Sequence, residues 1–150
     1  MRKSISFFKD EFAFLSNFYS SPIIWKGTKW PTVEHVYQAS KSRCPDYEEL
    51  IRRAKTSAVA KKLGQKALLR EDWEEIKVPL MTELVFLKFE QNQDLKNKLL
   101  SMNLAKLVEG NYWHDNFWGN CFCSRCKDIE GQNVLGIILM GVREYFVRIK

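Results

Sequence analysis

Three polar residues of one predicted helix are spaced so that they could take part in chemistry together. Glu34, Gln38 and Lys41 stand at positions i, i+4 and i+7, which places them in one stripe of a helix. A carboxylate, an amide and an amine in such a stripe could orient a sugar and exchange protons with it. The alternative is structural: Glu34 favours the helix dipole from the first turn, and Lys41 is a solvated lysine near the far end.

Aromatic residues alternate with acids and amides in residues 109–119, which read EGNYWHDNFWG. Such a mixture can stack on a base and hydrogen-bond to a ribose, and a loop this rich in tryptophan is costly to expose. Residues 14–19, FLSNFY, have the same character. For both segments the alternative is that the aromatic side chains only anchor a loop.

The thiols of Cys121, Cys123 and Cys126 are crowded together, whereas Cys44 stands alone. A disulfide scaffold would spread its cysteines more evenly, so the pattern indicates reduced thiols or a metal site. Three thiolates could bind a structural zinc ion if His114, Cys44 or another group supplied the fourth ligand. The chemistry expected of the other residues does not need this zinc.

Basic residues are concentrated in residues 41–70, which contain nine lysines and arginines and three acidic residues. The net charge of the whole chain is +6, so the rest of the chain is close to neutral. A concentrated basic segment suits phosphate groups, either in a small ligand or along a nucleic acid. The alternative is a solvated helical surface.

The elements that must position these residues are mainly helices, with a few short strands. Strands are predicted over residues 4–8, 22–25 and 104–108. Thr32 is the predicted N-cap of a helix of about twelve residues that ends before Pro45. Capping boxes and apolar periodicity predict the other helices: one from Asp46 with Glu49, one from Asp72 with Glu75 that runs to about Gln91 and has a kink or a late start at Pro79, and a central buried helix over residues 134–149.

Length and composition predict a single domain, residues 1–150. Hydrophobic residues make up 45% of the chain and aromatic residues 13%, enough to build a core at this length. No apolar run reaches the roughly 18 residues of a membrane-spanning helix, and the N-terminus leads into no signal-peptide core. We therefore expect a cytoplasmic protein without a membrane partner, and no obligate protein partner is evident.

In their order along the chain, these motifs resemble the NADAR superfamily, also called YbiA-like. The matching segments are residues 14–19, 30–41, 69–73, 88–91, 107–119 and 131–140. They run from about Phe7 to Arg143 and so cover nearly the whole chain. The resemblance implies a compact, mostly α fold and an N-glycosidase that needs no cofactor for catalysis.

Members of this superfamily break down ribosylamino intermediates of the riboflavin pathway or remove ADP-ribose from guanine bases in DNA. Both reactions release an amine from ribose C1. Carried over by motif position, the catalytic residues would be Glu34, Lys41 and Asp115. The substrate-binding residues would be Asn17, Phe18, Tyr19, Trp73, Glu109, Trp118 and Gly119. The run of cysteines is absent from the better-known riboflavin-linked members, which leaves the substrate branch open.

Physical roles follow from the chemistry that the resemblance implies. Oxocarbenium character develops on the ribose as the amine leaves, so Glu34 and Asp115 are expected to stabilise charge and to exchange protons. Lys41 would bind phosphate, or would attack C1 itself after ring opening. Trp73 and Trp118 would stack on a base or a ribose.

ADP-ribosylated guanine in DNA is the favoured substrate, because the local basic charge exceeds what one monophosphate requires. A ribosylamino phosphate of the riboflavin pathway is the alternative substrate. Two alternatives come from other classes of protein. A non-catalytic nucleic-acid-binding module would use the basic segment and the cysteines without releasing a base or a sugar. A scaffold or inhibitor protein would need only the fold.

Overall fold

The structure, a computed structural model, describes residues 2–150, so Met1 of the expected 1–150 domain lies outside the described residues. Backbone packing groups the chain into two units. The central unit is Asn17–Gln93, and the terminal unit combines the segment up to Ser16 with Asp94–Lys150. The single domain expected from the sequence stays a prediction.

Helices dominate the described chain, and its strands are only two or three residues long. The strands are β1 (Ser4–Ile5), β2 (Ile23–Trp25), β3 (Thr28–Trp30), β4 (Lys106–Leu107), β5 (Gly110–Asn111) and β6 (Asn120–Cys121). The α-helices are α1 (Val33–Ala39), α2 (Pro45–Arg52), α3 (Ser57–Gln65), α4 (Trp73–Gln91), α5 (Gln93–Ser101) and α6 (Val134–Arg148). Short 3-10 helices span Asp10–Leu15 and Ser124–Cys126. The predicted mainly α architecture with a few short strands is confirmed. Within residues 2–150, no helix has both the length and the apolar character to cross a membrane.

In the central unit a hairpin leads directly into α1. Strands β2 and β3 pair antiparallel, and the residues between them, Lys26 and Gly27, have φ of +48° and +77°. Positive φ at both turn positions is typical of a type I′ hairpin turn. Thr32 then caps α1 as predicted, because its Oγ1 accepts a hydrogen bond from the His35 amide at 3.2 Å.

Helix α1 ends at Ala39 and does not continue for the predicted twelve residues. The amide and the hydroxyl of Ser40 both donate to the carbonyl oxygen of Val36, at 2.9 and 2.7 Å, and the amides of the next two residues donate only three residues back, so the last turn tightens and the helix ends. The chain then leaves the helix before α2 begins at Pro45, where the missing amide hydrogen costs nothing.

The two predicted capping boxes are wrong, because neither α2 nor α4 has a side-chain hydrogen bond at its N-cap. Helix α2 has Cys44 at its N-cap, so Asp46 lies inside the first turn and Glu49 pairs instead with Arg52 and with the C-cap Arg53. Helix α4 does begin after Asp72, but the Asp72 carboxylate makes no cap bond and accepts two hydrogen bonds from Arg70, at 2.6 and 3.0 Å. Because α4 starts ahead of Pro79, a late start at that proline is excluded.

The terminal unit is organised around two short parallel strand pairs and α6. Strand β1 pairs with β4, β5 pairs with β6, and α6 packs on β4. The pairs are two residues long, so the strands predicted over residues 4–8 and 104–108 are shorter than expected. Helix α6 was expected to be buried all round, but Ile137, Tyr145 and Val147 are about half exposed. Its buried face is formed by residues such as Leu139 and Phe146.

Candidate active site

Glu34 and Gln38 form a polar pair inside α1, all seven residues of which are buried. Glu34 is 6% exposed and Gln38 is 3% exposed. The Gln38 amide Nε2 donates to Oε1 of Glu34 at 2.7 Å and so fixes the orientation of the carboxylate. Glu34 and Gln38 of the polar stripe predicted beside the core therefore lie within it, whereas Lys41 is half-buried. Charges act more strongly there, because little water screens them.

Lys41 follows α1 and carries an amine with a lowered pKa. Burial is the main cause of the lowering, Lys61 lowers the pKa further, and the charge of Glu34 raises it. The backbone is held in place by the carbonyl of Lys41, which accepts from the Arg70 amide at 2.8 Å. A lysine with a lowered pKa has more neutral amine at a given pH, and the neutral amine is the nucleophile.

Aromatic rings provide the apolar surroundings of this amine. Nζ of Lys41 lies 5.4 Å from the centre of the Tyr37 ring and 6.0 Å from the centre of the Trp73 ring. The two rings pack against each other at 5.1 Å, and Trp73 is only 5% exposed. The buried Trp73 ring helps to desolvate the amine of Lys41. That Trp73 stacks on a substrate stays a prediction.

Residues 17–19 are attached to α1 and α3 by their backbone carbonyls. The carbonyl oxygen of Asn17 accepts from the Glu34 amide at 3.1 Å, and that of Phe18 accepts from the Ser57 hydroxyl at 3.0 Å. The Phe18 ring is 42% exposed, and Nζ of Lys61 lies 5.8 Å from its centre. An exposed ring beside an ammonium group is suited to a base and its phosphates.

Helix α3, which was not predicted from the sequence, packs against α1. A Cβ added to Gly64 would lie 2.8 Å from Cβ of Gln38 and still closer to its amide oxygen. Only a glycine permits this approach, so Gly64 helps to hold the Gln38 amide against Glu34. Helix α3 also carries Ser57 and Lys61, and it thus supplies three contacts of the candidate site.

The predicted site residues of the terminal unit lie in one loop. Oδ1 of Asp115 accepts from the amides of Phe117 and Trp118, at 3.1 and 2.9 Å. A Cβ on Gly119 would collide with the carbonyl oxygen of Glu109, so these two segments are in close backbone contact. The structure thus brings Glu109, Asp115, Trp118 and Gly119 together. It brings Glu34, Lys41, Trp73 and residues 17–19 together in the central unit.

Three cysteines of the terminal unit converge on a histidine. The ligand atoms of His114, Cys121, Cys123 and Cys126 all lie within 4.8 Å of one another. Of the fourth ligands considered from the sequence, His114 is therefore the one that joins the cluster, and Cys44 caps α2 in the central unit. The donor set fits a tetrahedral zinc ion.

Two buried cations, Lys88 and Arg143, are not among the site residues predicted from the sequence. Lys88 of α4 is 1% exposed, and its Nζ lies 5.7 Å from the centre of the Tyr19 ring. The burial of Lys88 could have been predicted from the sequence, because Lys88 follows Leu84 by four residues and so lies in the apolar stripe of the helix. Arg143 of α6 is 7% exposed, burial lowers its pKa, and its Nη1 has no hydrogen-bond partner among the described residues.

A surface cavity of about 690 Å³ lies elsewhere in the terminal unit. Its lining includes Lys3, Glu11, Phe12 and Met102. None of the site residues predicted from the sequence is among the residues that line it. The cavity therefore does not support a catalytic site at that place.

Comparison with known proteins identifies the family. The family model of the NADAR domain matches residues 6–147. The chain belongs to the NADAR family. N-glycosidase YbiA of Escherichia coli (strain K12) is 38% identical over 137 residues, which are 90% of this chain and 82% of that protein. A riboflavin biosynthesis protein of Vibrio vulnificus (strain YJ016) is 38% identical over 148 residues, which are 96% of this chain but 39% of that longer protein.

The fold of this NADAR chain is also that of a solved structure. The NMR structure of Escherichia coli YbiA superposes with a TM-score of 0.84 at 37% identity, covering 99% of this chain and 88% of that chain. The resemblance inferred from the ordered motifs and the YbiA-like helical fold are both confirmed. The roles of individual residues stay proposals.

Proposed function

We propose that the protein hydrolyses the bond between ribose C1 and an amine nitrogen, and that its favoured substrate is ADP-ribosylated guanine in DNA. The predicted enzyme class, a hydrolase of N-glycosyl bonds, is confirmed by membership of the NADAR family and by relatives named N-glycosidase. The observation that carries the catalytic proposal is the Lys41 amine, whose lowered pKa responds to the charge of the buried Glu34.

Glu34 is assigned the electrostatic part of the reaction. As the amine departs after ring opening, positive charge lies on C1 and on the nitrogen that remains bonded to it. A buried carboxylate whose direction is fixed by Gln38 stabilises that charge without having to reorganise. Asp115, carried over from the family motif, is proposed as the second carboxylate.

Lys41 is assigned the role of nucleophile. After the ribose ring opens, C1 is a protonated imine of the departing nitrogen, and the neutral Lys41 amine adds to it. The ionised Glu34 carboxylate carries the extra proton from the attacking nitrogen to the departing nitrogen, and the bond from C1 to the departing nitrogen then breaks. Water adds to the remaining iminium and releases the sugar aldehyde together with the free lysine. No step changes an oxidation state, so the reaction needs no redox cofactor.

Lysines of α3 are assigned to the phosphates of the substrate. Ion pairs engage much of the remaining basic segment: Arg52 and Arg53 pair with Glu49, and Arg43 and Arg70 pair with Asp72. Lys61 lies beside the exposed Phe18 ring, and Lys62 follows it on the surface. An ammonium group beside an exposed aromatic ring suits a base and its phosphates, and Lys62 supplies a second positive charge on the same helix.

A ribosylamino phosphate of the riboflavin pathway is the second candidate substrate. Relatives from Vibrio vulnificus and Zea mays are named riboflavin biosynthesis proteins, and they are 38% and 37% identical to this chain. Both candidates are nucleotide-like, and the same C1–nitrogen chemistry applies to both.

Incubation with each substrate, followed by mass identification of the products, tests the proposal. We expect unmodified guanine in DNA and free ADP-ribose from the first substrate, and loss of this activity in Glu34→Gln. Glu83→Gln, an exposed position of α4, is the matched control and should keep the activity. Cleavage of the small metabolite alone would reverse the order of the substrates. DNA binding without cleavage of either substrate would contradict an enzyme.

A further inference from the structure

We propose that His114, Cys121, Cys123 and Cys126 bind one zinc ion that fixes the loop carrying Asp115 and Trp118. Nδ1 of His114 lies 3.3 Å from Sγ of Cys123 and 3.4 Å from Sγ of Cys126. Around a tetrahedral zinc ion with Zn–S near 2.3 Å and Zn–N near 2.0 Å, neighbouring ligand atoms are about 3.5–3.8 Å apart. The side chains are thus at the spacing of a zinc site, within a few tenths of an ångström for these pairs.

The donors come from separate parts of the loop, which their side chains draw together. Cys121 is the last residue of β6. Cys123 precedes the short 3-10 helix and Cys126 is its last residue. His114 has a positive φ of +69°. Cys121 and Cys126 are buried, and none of the four cysteines of the chain forms a disulfide. Three thiolates and one imidazole form a closed, structural type of zinc site.

The surroundings of the cluster suit thiolate ligands. The backbone amide of His114 donates to Sγ of Cys121 at 3.3 Å, which favours negative charge on the sulfur. The guanidinium of Arg125 contacts Nε2 of His114. With Nδ1 on the metal, Nε2 carries the proton, and the exposed Arg125 side chain moves away. Arg125 is therefore not needed for the site.

The proposed metal would hold the loop that carries Asp115 and Trp118 in position without touching a substrate. His114 precedes Asp115, which holds the amides of Phe117 and Trp118 with its carboxylate. The side chain of Asn116 accepts from the Cys121 amide at 2.9 Å, so the loop and the cluster share their hydrogen bonds. Binding of zinc to the folded cluster would thus stabilise the position of the loop.

Metal analysis of the full chain, purified under reducing conditions without added metal, tests the site. We expect about one zinc per chain in the wild type, in Cys44→Ser and in Arg125→Ala. Cys123→Ser, at a half-buried position, should lose stoichiometric zinc. Cobalt added to the metal-free wild type should give the visible spectrum of a tetrahedral, thiolate-bound ion with one equivalent bound, and His114→Ala should change that spectrum.

Thermal unfolding gives a measure that does not depend on any substrate. Removal of the zinc should lower the melting temperature, and one equivalent of zinc should restore it. A wild type that is free of metal, equally stable and without a tetrahedral cobalt spectrum would overturn the proposal. A disulfide between two of the three cysteines in freshly purified protein would also overturn it. Because these readouts are independent of turnover, they separate this inference from the proposed N-glycosidase activity.

Discussion

Replacement of Gly64 by alanine tests whether the contact between α1 and α3 orients the Glu34 carboxylate. The new Cβ would lie 2.7 Å from Cδ and 2.8 Å from Cβ of Gln38. Turning the amide away relieves the first clash but breaks the bond from Gln38 to Glu34. The second clash involves the root of the side chain, so the two helices must also move apart until the distance reaches the ordinary 3.4–4 Å.

Three contributions set the size of the effect. Overpacking costs about 1–3 kcal/mol, and loss of a hydrogen bond to a charged group costs about 1.5–3 kcal/mol. Alanine in a helix recovers about 1 kcal/mol relative to glycine. We therefore expect Gly64→Ala to lower the free energy of unfolding by about 1.5–5 kcal/mol and to reduce turnover.

Urea unfolding followed by circular dichroism measures this loss, and product formation measures turnover. The matched control is Gly141→Ala in α6, where an added Cβ meets no atom within 4 Å. The control should raise the free energy of unfolding by up to about 1 kcal/mol and leave turnover unchanged. If Gly64→Ala were as stable and as active as this control, the proposed role of the α1–α3 contact would be refuted.

Three further predictions concern the reaction. Glu34→Gln keeps the shape beside Gln38 but removes the charge, so product formation should cease while stability changes little; a near wild-type rate would remove Glu34 from the mechanism. The rate should rise with pH up to the lowered pKa of Lys41, because only the neutral amine adds to C1. Lys61→Met removes a like charge and should raise the pKa of Lys41, which moves this limb of the pH–rate profile to higher pH. The control Lys62→Met should leave the limb close to its wild-type position. An unmoved limb in Lys61→Met would contradict the assignment of the limb to Lys41. Cleavage of ADP-ribosylated DNA should weaken as salt rises, because backbone contacts are screened, and a flat dependence would favour the small metabolite.

Features with a strong local signal could be predicted from the sequence. The Thr32 cap depends on one hydroxyl and an amide three residues later, and the start of α4 at Trp73 depends on the apolar pattern that follows. Helical spacing sets the pairing of Glu34 with Gln38, whereas Lys41 lies beyond the end of α1. The spacing does not set the burial of the pair, because burial depends on the helices that pack around α1.

Features made by distant contacts could not be predicted. Helix α3 was missed because its buried face consists of Ser57, Ala60 and Gly64, small residues that produce no apolar periodicity. Crowded cysteines indicated a metal site, but the choice of His114 required the path of the loop. In the same way, the effect of Lys61 on Lys41 depends on α3 lying beside α1.

Chemical trapping tests the central claim, that Lys41 attacks ribose C1, most directly. Borohydride added during turnover should reduce the iminium and attach the sugar irreversibly to the protein, and peptide mass mapping should locate it on Lys41. Lys41→Arg keeps the charge but stays protonated, so it should lose the adduct and most of the rate. An active Lys41→Arg enzyme with no trapped sugar would contradict the covalent route.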